Sequence, residues 1–334
     1  MTHRQAWLGI IATLTLFGAF VVSGSMVSAN PDRWKREWGR TDFNNTSVDF
    51  KEIISGGPPK DGIPSIDRPR FIPVSAVKGL EDTVPVISFS HNGDARAYPL
   101  GILMRHEIVN DVVGGKPVAV TYCPLCNSSI VFDRTLDGEL LDFGTTGKLR
   151  NSDLVMYDRQ TESWWQQFLG EAIVGQMTGQ KLKMLPSRVE AYGIFKDKNP
   201  DGKVLKSASF FSRGFGANPY GGYDTARRPF LYNGAMPEGI EPLARVIRVG
   251  EEAWSLKLLR RLKKIETDEL VLSWTPGQNS ALDSRNIAKG RDIGNVVVQR
   301  KTKKGLQDEV YDVTFAFAFH AFFPEGALHM EPST

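Results

Sequence analysis

The chain contains only two cysteines, Cys123 and Cys126, and they lie three positions apart in the run Thr-Tyr-Cys-Pro-Leu-Cys-Asn-Ser. A bridge between them would close a very small loop, so no long-range disulfide can hold this fold together. The chain-entropy model gives such a loop roughly 2 kcal/mol before strain. A chain of 334 residues can bury a sufficient core without that contribution. The spacing therefore favours a chemical use of the pair. A non-enzymatic interaction module, in which the pair is a structural disulfide, is an alternative.

The N-terminus predicts export. Residues 1–4 carry positive charge, residues 7–22 are apolar and uncharged, and Val27-Ser28-Ala29 fits a small-residue cleavage site. We expect a signal peptide over residues 1–29, cleaved after Ala29, and a periplasmic location if the source is Gram-negative. The alternative is an uncleaved anchor, although the apolar run is short for a span of about 20 residues. If the segment is not cleaved, it would be the only part of the chain that attaches the protein to a membrane.

Composition excludes several classes of function. The formal net charge is +3, and basic residues are scattered along the chain, so no nucleic-acid footprint is predicted. The sequence contains no P-loop, no dinucleotide-binding glycine motif, no HExxH and no nucleophile elbow. The expected partner is therefore an unknown redox partner or a small-molecule substrate.

Regular patterning begins near residue 84 and surrounds the cysteines with strands. Alternating apolar residues, the His91-Asn92-Gly93-Asp94 turn and the return over residues 95–100 predict a hairpin. Residues 100–109 show helical spacing. Strands predicted over residues 118–122 and 130–132 flank the cysteine turn, and residues 311–323 are predicted to form a doubly buried strand. No helix fits after Cys126, unlike a thioredoxin site.

A second part of the chain resembles the first. Ala97-Tyr98-Pro99-Leu100 matches Ala253-Trp254-Ser255-Leu256, and residues 121–128 match residues 273–280, with Thr275 and Gln278 in place of the two cysteines. If the match is a true duplication, the second turn forms without sulfur. We therefore expect a β-rich α+β fold, one large domain with a degenerate internal duplication. Its parts would be an extended segment over residues 30–83, a first repeat over 84–240 and a cysteine-free second repeat over 241–334.

Thiol chemistry is the leading interpretation. Cys123 would act as the nucleophile and Cys126 as the resolving thiol. Because reactivity depends on the thiolate fraction, a neighbouring base or cation would help, and His106 is the candidate. The expected substrate-binding residues are Glu107, Tyr122, Arg134, Arg150, Asn151, Asp153, Arg159 and Trp165.

A metal site is the alternative from a different class. Two thiolates with a histidine or methionine suit copper or zinc. The expected ligands are Cys123, Cys126, His106 and Met156. A covalent haem is excluded because Asn127 occupies the position where that motif requires histidine.

The same residues carry a resemblance to a bacterial family. The matching segments are residues 106–111, 120–126, 132–134 and 149–159, Glu162-Ser163 with Trp165-Gln166, and Asn218-Pro219-Tyr220 with Tyr223. They resemble DUF3179, a domain of unknown function, over nearly all of the chain that follows the expected signal peptide. Some relatives in this family carry selenocysteine at the position of Cys123, which implies redox catalysis there. Asn127 departs from the family pattern, which has glycine at that position.

Overall fold

The structure is a computed structural model that describes residues 31–206 and 217–331. The expected signal peptide over residues 1–29 lies outside the described residues. None of the helices in the described ranges is both long and apolar enough to cross a membrane.

Twenty-four strands run through the described residues. The first twelve are β1 (Ile53–Ser55), β2 (Arg70–Pro73), β3 (Pro85–His91), β4 (Asp94–Pro99), β5 (Ile108–Val113), β6 (Lys116–Cys123), β7 (Ser128–Asp133), β8 (Thr135–Leu136), β9 (Glu139–Leu140), β10 (Phe143–Arg150), β11 (Asp153–Asp158) and β12 (Trp164–Gln166). The remaining twelve are β13 (Glu171–Val174), β14 (Met184–Leu185), β15 (Arg188–Ala191), β16 (Lys203–Lys206), β17 (Arg245–Val249), β18 (Glu252–Ser255), β19 (Lys264–Glu266), β20 (Leu270–Thr275), β21 (Asn295–Thr302), β22 (Gly305–Asp308), β23 (Asp312–Phe315) and β24 (Ala327–His329).

The helices in the same ranges are short. The α-helices are α1 (Pro31–Glu37), α2 (Leu100–Leu103), α3 (Tyr192–Lys198), α4 (Leu256–Leu262) and α5 (Ala316–Phe322). Single 3₁₀ turns cover Phe50–Glu52, Val74–Ala76, Tyr223–Thr225 and Ile287–Lys289.

Five sheets of four or five strands form a five-bladed β-propeller. In spatial order the blades are β1-β10-β11-β12-β13, β14-β7-β6-β5, β15-β3-β4-β16-β2, β23-β17-β18-β24 and β19-β20-β21-β22; β8 and β9 form a separate hairpin. The blade β14-β7-β6-β5 carries the cysteines. It touches three other blades, through β3, β10 and β23.

This architecture overturns the expected α+β fold with a single degenerate duplication. The chain is 41% strand and 15% helix, in five blades. The two matched segments do share an order of hairpin, short helix and three-stranded meander, β3 to β7 and β17 to β21. They account for only part of the propeller, so one duplication does not describe it.

Two local predictions were wrong for one physical reason. The helix expected over residues 100–109 is confined to Leu100–Leu103, and β5 begins at Ile108. The strand expected over residues 311–323 ends at Phe315, where α5 takes over. Both runs are apolar and buried on several sides, so hydrophobic periodicity cannot separate helix from strand.

The N-terminal segment is part of the propeller. It supplies β1 to one blade and β2 to another. It also contributes Trp34, Trp38 and Phe43 to an aromatic cluster built around Trp164. Edge-to-face packing of these rings buries a large apolar area, which ties residues 31–55 to the blade of β10 and β11.

Candidate functional site

The two cysteines lie at the tight turn between antiparallel strands β6 and β7. Cys123 ends β6 and pairs in register with Ser128, which begins β7. Asn127 closes the turn with φ 55° and donates from its backbone N–H to the Pro124 carbonyl at 3.3 Å. The predicted strand–turn–strand setting is confirmed, and it leaves the sulfurs on a rigid β scaffold.

A carboxylate joins the two sulfurs. Ligand-capable atoms of Cys123, Cys126 and Asp153 all lie within 4.8 Å of one another, and all three residues are buried. Both cysteines are free thiols. Asp153 begins β11 in the neighbouring blade, so two blades meet at this cluster.

Backbone carbonyls hold the thiols in their protonated form. Cys123 Sγ lies 3.7 Å from the Ser152 carbonyl oxygen, and Cys126 Sγ lies 3.9 Å from that of Asn151. A carbonyl accepts from S–H and repels a thiolate. Burial raises the pKa of the Cys123 thiol, and its hydrogen bond with Cys126 only partly offsets this. Burial also raises the pKa of Cys126 well above its ordinary value. Both effects favour the protonated thiol over the thiolate.

The carboxylates nearby are shifted in the same direction. Burial raises the pKa of Asp153 to about 7, against the lowering effect of hydrogen bonds from Gln166 and Phe168. Burial, assisted by the charge of Asp153, raises the pKa of Glu107 to about 8. Two acids with pKa values near neutral pH therefore lie beside the thiol pair. Groups with strongly shifted pKa values cluster at functional sites, which marks this cluster as a candidate site.

Asp153 keeps one oxygen available. Its Oδ2 accepts hydrogen bonds from Gln166 Nε2 at 2.6 Å and from the backbone N–H of Phe168 at 2.9 Å. Its Oδ1 is buried without a hydrogen-bond partner. Oδ2 therefore fixes the orientation of the carboxylate, and Oδ1 is the atom that can accept a proton from a thiol.

Unsatisfied polar atoms gather around this cluster. Beside Asp153 Oδ1, the buried side-chain atoms without a partner include those of Ser128, Ser129, Gln166, Gln167, Arg248 and Asp312. These residues are connected: the backbone N–H of Ser129 donates to Asp312 Oδ1 at 2.9 Å, and Asp312 pairs in register with Arg248. Native proteins leave few buried polar groups unpaired, so their concentration here marks a place built for something other than stability.

Backbone strain collects at the same place. Glu107, Asn127, Asn151 and Ser152 all have φ between 53° and 63°. Residues other than glycine adopt this left-handed conformation at a cost of about 1–2 kcal/mol each. Such outliers persist where the surroundings over-determine them, which happens at functional sites. The αL conformation of Asn127 also explains why glycine is acceptable at this position.

Residues 60–326 match the family model of DUF3179, described as a protein of unknown function. The match covers most of the chain. The chain belongs to the DUF3179 family. Neither the curated proteins nor the solved structures contain a significant match.

Several of the residues expected from the sequence do meet at the DUF3179 cysteine turn. Glu107 and Asp153 are buried there together. The Asn151 carbonyl faces Cys126, and the Tyr122 hydroxyl lies 3.4 Å from Asn127 Oδ1. Met156 is buried in the same hydrophobic cluster as both cysteines.

Other expected residues are engaged elsewhere. His106 Nδ1 contacts the Pro64 carbonyl at 2.8 Å and is absent from the group of ligand atoms around the cysteines. Arg134 binds Asp142, Arg150 binds Glu52, Arg159 binds Asp67, and Trp165 donates to Asp158. The carboxylate beside the two sulfurs is that of Asp153, which the sequence placed only among the substrate-binding residues.

Two surrounding elements were not anticipated as parts of the site. The first is β23 with the start of α5. The Cys126 carbonyl accepts from the Thr314 hydroxyl at 2.8 Å and from the Phe315 N–H at 3.0 Å, while Asn127 Nδ2 donates to the Val313 carbonyl at 2.6 Å. These bonds fix the turn from one side. They join residues nearly 190 positions apart, so no local pattern could reveal them.

The second element is residues 220–232, here named the covering segment. Tyr223 donates from its hydroxyl to the Leu125 carbonyl at 2.9 Å, and Ser152 donates from its hydroxyl to the Phe230 carbonyl at 2.5 Å. Cys123 is left 1% exposed. The only sequence signal was Tyr220 and Tyr223 within the family resemblance.

Proposed function

We propose that this chain is an exported thiol-based redox protein that cycles Cys123 and Cys126 between dithiol and disulfide. Cys123 is the nucleophile, Cys126 is the resolving thiol, and Asp153 is the proton acceptor. The observation that supports it most is the buried Cys123–Cys126–Asp153 cluster, within 4.8 Å and with Asp153 Oδ1 unpartnered.

The reaction balances with a disulfide as oxidant. Cys123 loses its proton to Asp153 Oδ1, and the thiolate attacks a disulfide, which releases one thiol and leaves a mixed disulfide on Cys123. Cys126 then loses its proton and attacks Cys123 Sγ, which expels the second thiol. The two cysteines lose two electrons and two protons, and the substrate disulfide gains them as two thiols.

The neighbouring acids suit this proton traffic. A general base works best when its pKa lies near the ambient pH, and burial raises the pKa of Asp153 to about 7. Glu107, whose pKa burial raises to about 8, is coupled to Asp153 by charge.

The test is a redox titration combined with trapping. Protein from the native compartment is equilibrated in thiol–disulfide buffers, alkylated and weighed by mass spectrometry. We expect a reduction potential above about −300 mV, the region below which structural disulfides fall. Cys126→Ala should accumulate a mixed disulfide on Cys123, and Cys123→Ala should accumulate far less. A potential below about −300 mV, or mixed disulfides formed equally by both variants, would contradict the proposal.

A soft-metal site is the second candidate, and the same three ligand atoms favour it. Two thiolates and a carboxylate would suit zinc, whose bound thiols are deprotonated. Metal analysis of the purified protein tests it. One equivalent of zinc or copper, lost in Cys123→Ala and in Asp153→Asn but kept in His106→Ala, would favour this candidate. Metal-free protein with an active thiol pair would exclude it.

A further inference from the structure

The covering segment lies against the cysteine turn, where Tyr223 donates to the Leu125 carbonyl and Ser152 donates to the Phe230 carbonyl. Cys123 is 1% exposed and Cys126 is fully buried, so a substrate disulfide cannot reach either sulfur while the segment stays in place. Because thiol–disulfide exchange needs direct contact between sulfurs, something above the turn must move.

The first half of the covering segment is fixed by ion pairs, whereas its second half is held by fewer polar contacts. Asp224 is buried and ion-paired to Arg245 and Arg291, with a further bond from Ser280. Between residues 226 and 231 there is no regular secondary structure. The hydrogen bonds of this stretch within the described part of the chain run from Ser152 to the Phe230 carbonyl, from the Phe230 N–H to Tyr223 Oη and from the Ala226 N–H to the Tyr223 carbonyl. Leu231 adopts φ 53°, a left-handed backbone conformation that is strained for leucine, so this half is also destabilised by backbone strain. A displacement of this half would pull Pro229 and Leu231 away from the protein interior, while the ion pairs of Asp224 would anchor the other half.

The outer face of the same half is basic. Arg227 and Arg228 are exposed, and neither has an ion-pair partner among residues 31–206 and 217–331. Phe230, next to them, is 57% exposed. At the other end, the Tyr220 hydroxyl lies within electrostatic range of Glu107, Cys123 and Arg105. Arg105 is also exposed and makes no ion pair within the described ranges.

We propose that the covering segment is a lid over the CPLC turn, and that Arg105, Arg227 and Arg228 select small disulfides that carry carboxylates. This rests on the proposed redox function and names its substrate class. Unpaired guanidinium groups bind carboxylates in a bidentate manner and raise the local concentration of anions. The lid contacts are few, so a carboxylate bound by the arginines would stabilise the displaced lid at the moment the disulfide reaches Cys123.

The experiment compares three disulfides of different charge. Reduced protein is mixed with glutathione disulfide (anionic), hydroxyethyl disulfide (neutral) or cystamine (cationic), and oxidation of the pair is followed by rapid quenching. Each rate is divided by that of a reference dithiol with the same disulfide. We expect glutathione disulfide to be favoured over cystamine by about tenfold or more at low salt, and this preference to shrink as salt screens the charges.

The variants assign the preference to the lid. Arg227→Glu with Arg228→Glu should abolish it. Lys303→Glu with Lys304→Glu is the matched control, because it makes the same change of net charge on the exposed β21–β22 turn. The lysine control should react with hydroxyethyl disulfide at the wild-type rate. For the arginine variant, each rate is divided by its own rate with hydroxyethyl disulfide, so that a general loss of reactivity is not read as a loss of charge preference. Tyr223→Phe, which removes the hydroxyl that bonds Leu125 and Phe230, should speed all three probes.

The outcomes separate this inference from the proposed function. If the pair oxidises with all probes at equal corrected rates, or if the lysine control loses the preference as fully as the arginine variant, the charge-selecting lid is wrong and redox activity stands. If none of the probes oxidises the pair in wild type and in Tyr223→Phe, the proposed function itself fails. A slower reaction of Tyr223→Phe with every probe would contradict the lid.

Discussion

At the scale of single residues, burial makes it costly to ionise the thiol and the carboxyl groups of the site. Cys123, Asp153 and Glu107 are all buried, and burial favours the uncharged form of each. The protein therefore holds protons here that an exposed chain would release. Because a pKa that differs between folded and unfolded states is also a statement about stability, the same groups predict how stability depends on pH.

Glu107→Gln should remove one part of that dependence. The folded protein keeps the Glu107 proton up to a pKa of about 8, whereas the unfolded chain releases it near its ordinary pKa of about 4.3. Stability from this group is thus fully present below pH 4 and is lost as the pH rises to 8. Denaturant unfolding should show the variant more stable than wild type at pH 9 by roughly 3–5 kcal/mol, and the two nearly equal at pH 4.

The matched control is Glu139→Gln, an exposed carboxylate on the short β9 strand. It should leave the pH dependence of stability as in wild type. A Glu107→Gln variant whose stability falls between pH 4 and 9 as steeply as that of wild type would show that Glu107 is not held protonated.

At the scale of elements, the cysteine turn is held by its neighbours more than by its own sequence. Asn127 has a left-handed backbone, yet its side chain donates to Val313. The left-handed conformation is energetically unfavourable for a residue with a β-carbon, and it is less unfavourable for asparagine than for most others. The bond to β23 offsets part of the cost, so the turn is stable because another blade supports it.

Asn127→Gly and Asn127→Ala separate these two contributions. Both lose the bond to Val313, but only alanine also bears the full left-handed strain. We expect Asn127→Ala to be less stable than Asn127→Gly by about 1 kcal/mol, measured by denaturant unfolding. Asn92 in the β3–β4 hairpin, with φ 47° and an exposed position, provides the control pair. Equal stability of the two Asn127 variants would mean that the turn is not strained.

At the scale of the whole molecule, part of the fold could be read from the chain and part could not. The β3–β4 hairpin and the β6–β7 turn were predictable because their alternation and turn residues are local. The pairing of β1 with β10 and of β18 with β24, and the contact between β23 and β7, were not predictable. These contacts join segments that are far apart in the sequence, and hydrophobic periodicity does not reveal them. The sequence therefore did not predict the propeller.

The site divides in the same way. Cys123 and Cys126 stood out by spacing, and Asp153 by its place in a polar run. The placement of Asp153, rather than His106, beside the two sulfurs depends on the position of β11, which begins at Asp153. The contact between Ser152 and Phe230 links residues 78 positions apart, which no motif records.

The propeller also predicts that the N-terminal segment is part of one cooperative unit. Ile53 on β1 is fully buried against the blade of β10. Ile53→Ala should lower the free energy of unfolding by about 2–5 kcal/mol, in a single transition. Leu306→Ala, at an exposed position on β22, should change it by less than about 0.5 kcal/mol. A separate early transition in Ile53→Ala would instead show that residues 31–60 unfold by themselves.

The most direct test of the redox account is the pH profile of Cys123 oxidation by hydroxyethyl disulfide in wild type and in Asp153→Asn, with Asp133→Asn on β7 as control. We expect the wild-type rate to rise with pH through the pKa of Asp153, about 7. In Asp153→Asn the rate should fall by roughly 10²-fold near neutral pH, and its rise should move to the higher pKa of the thiol itself. A profile for Asp153→Asn that matches wild type in both rate and midpoint would contradict the account.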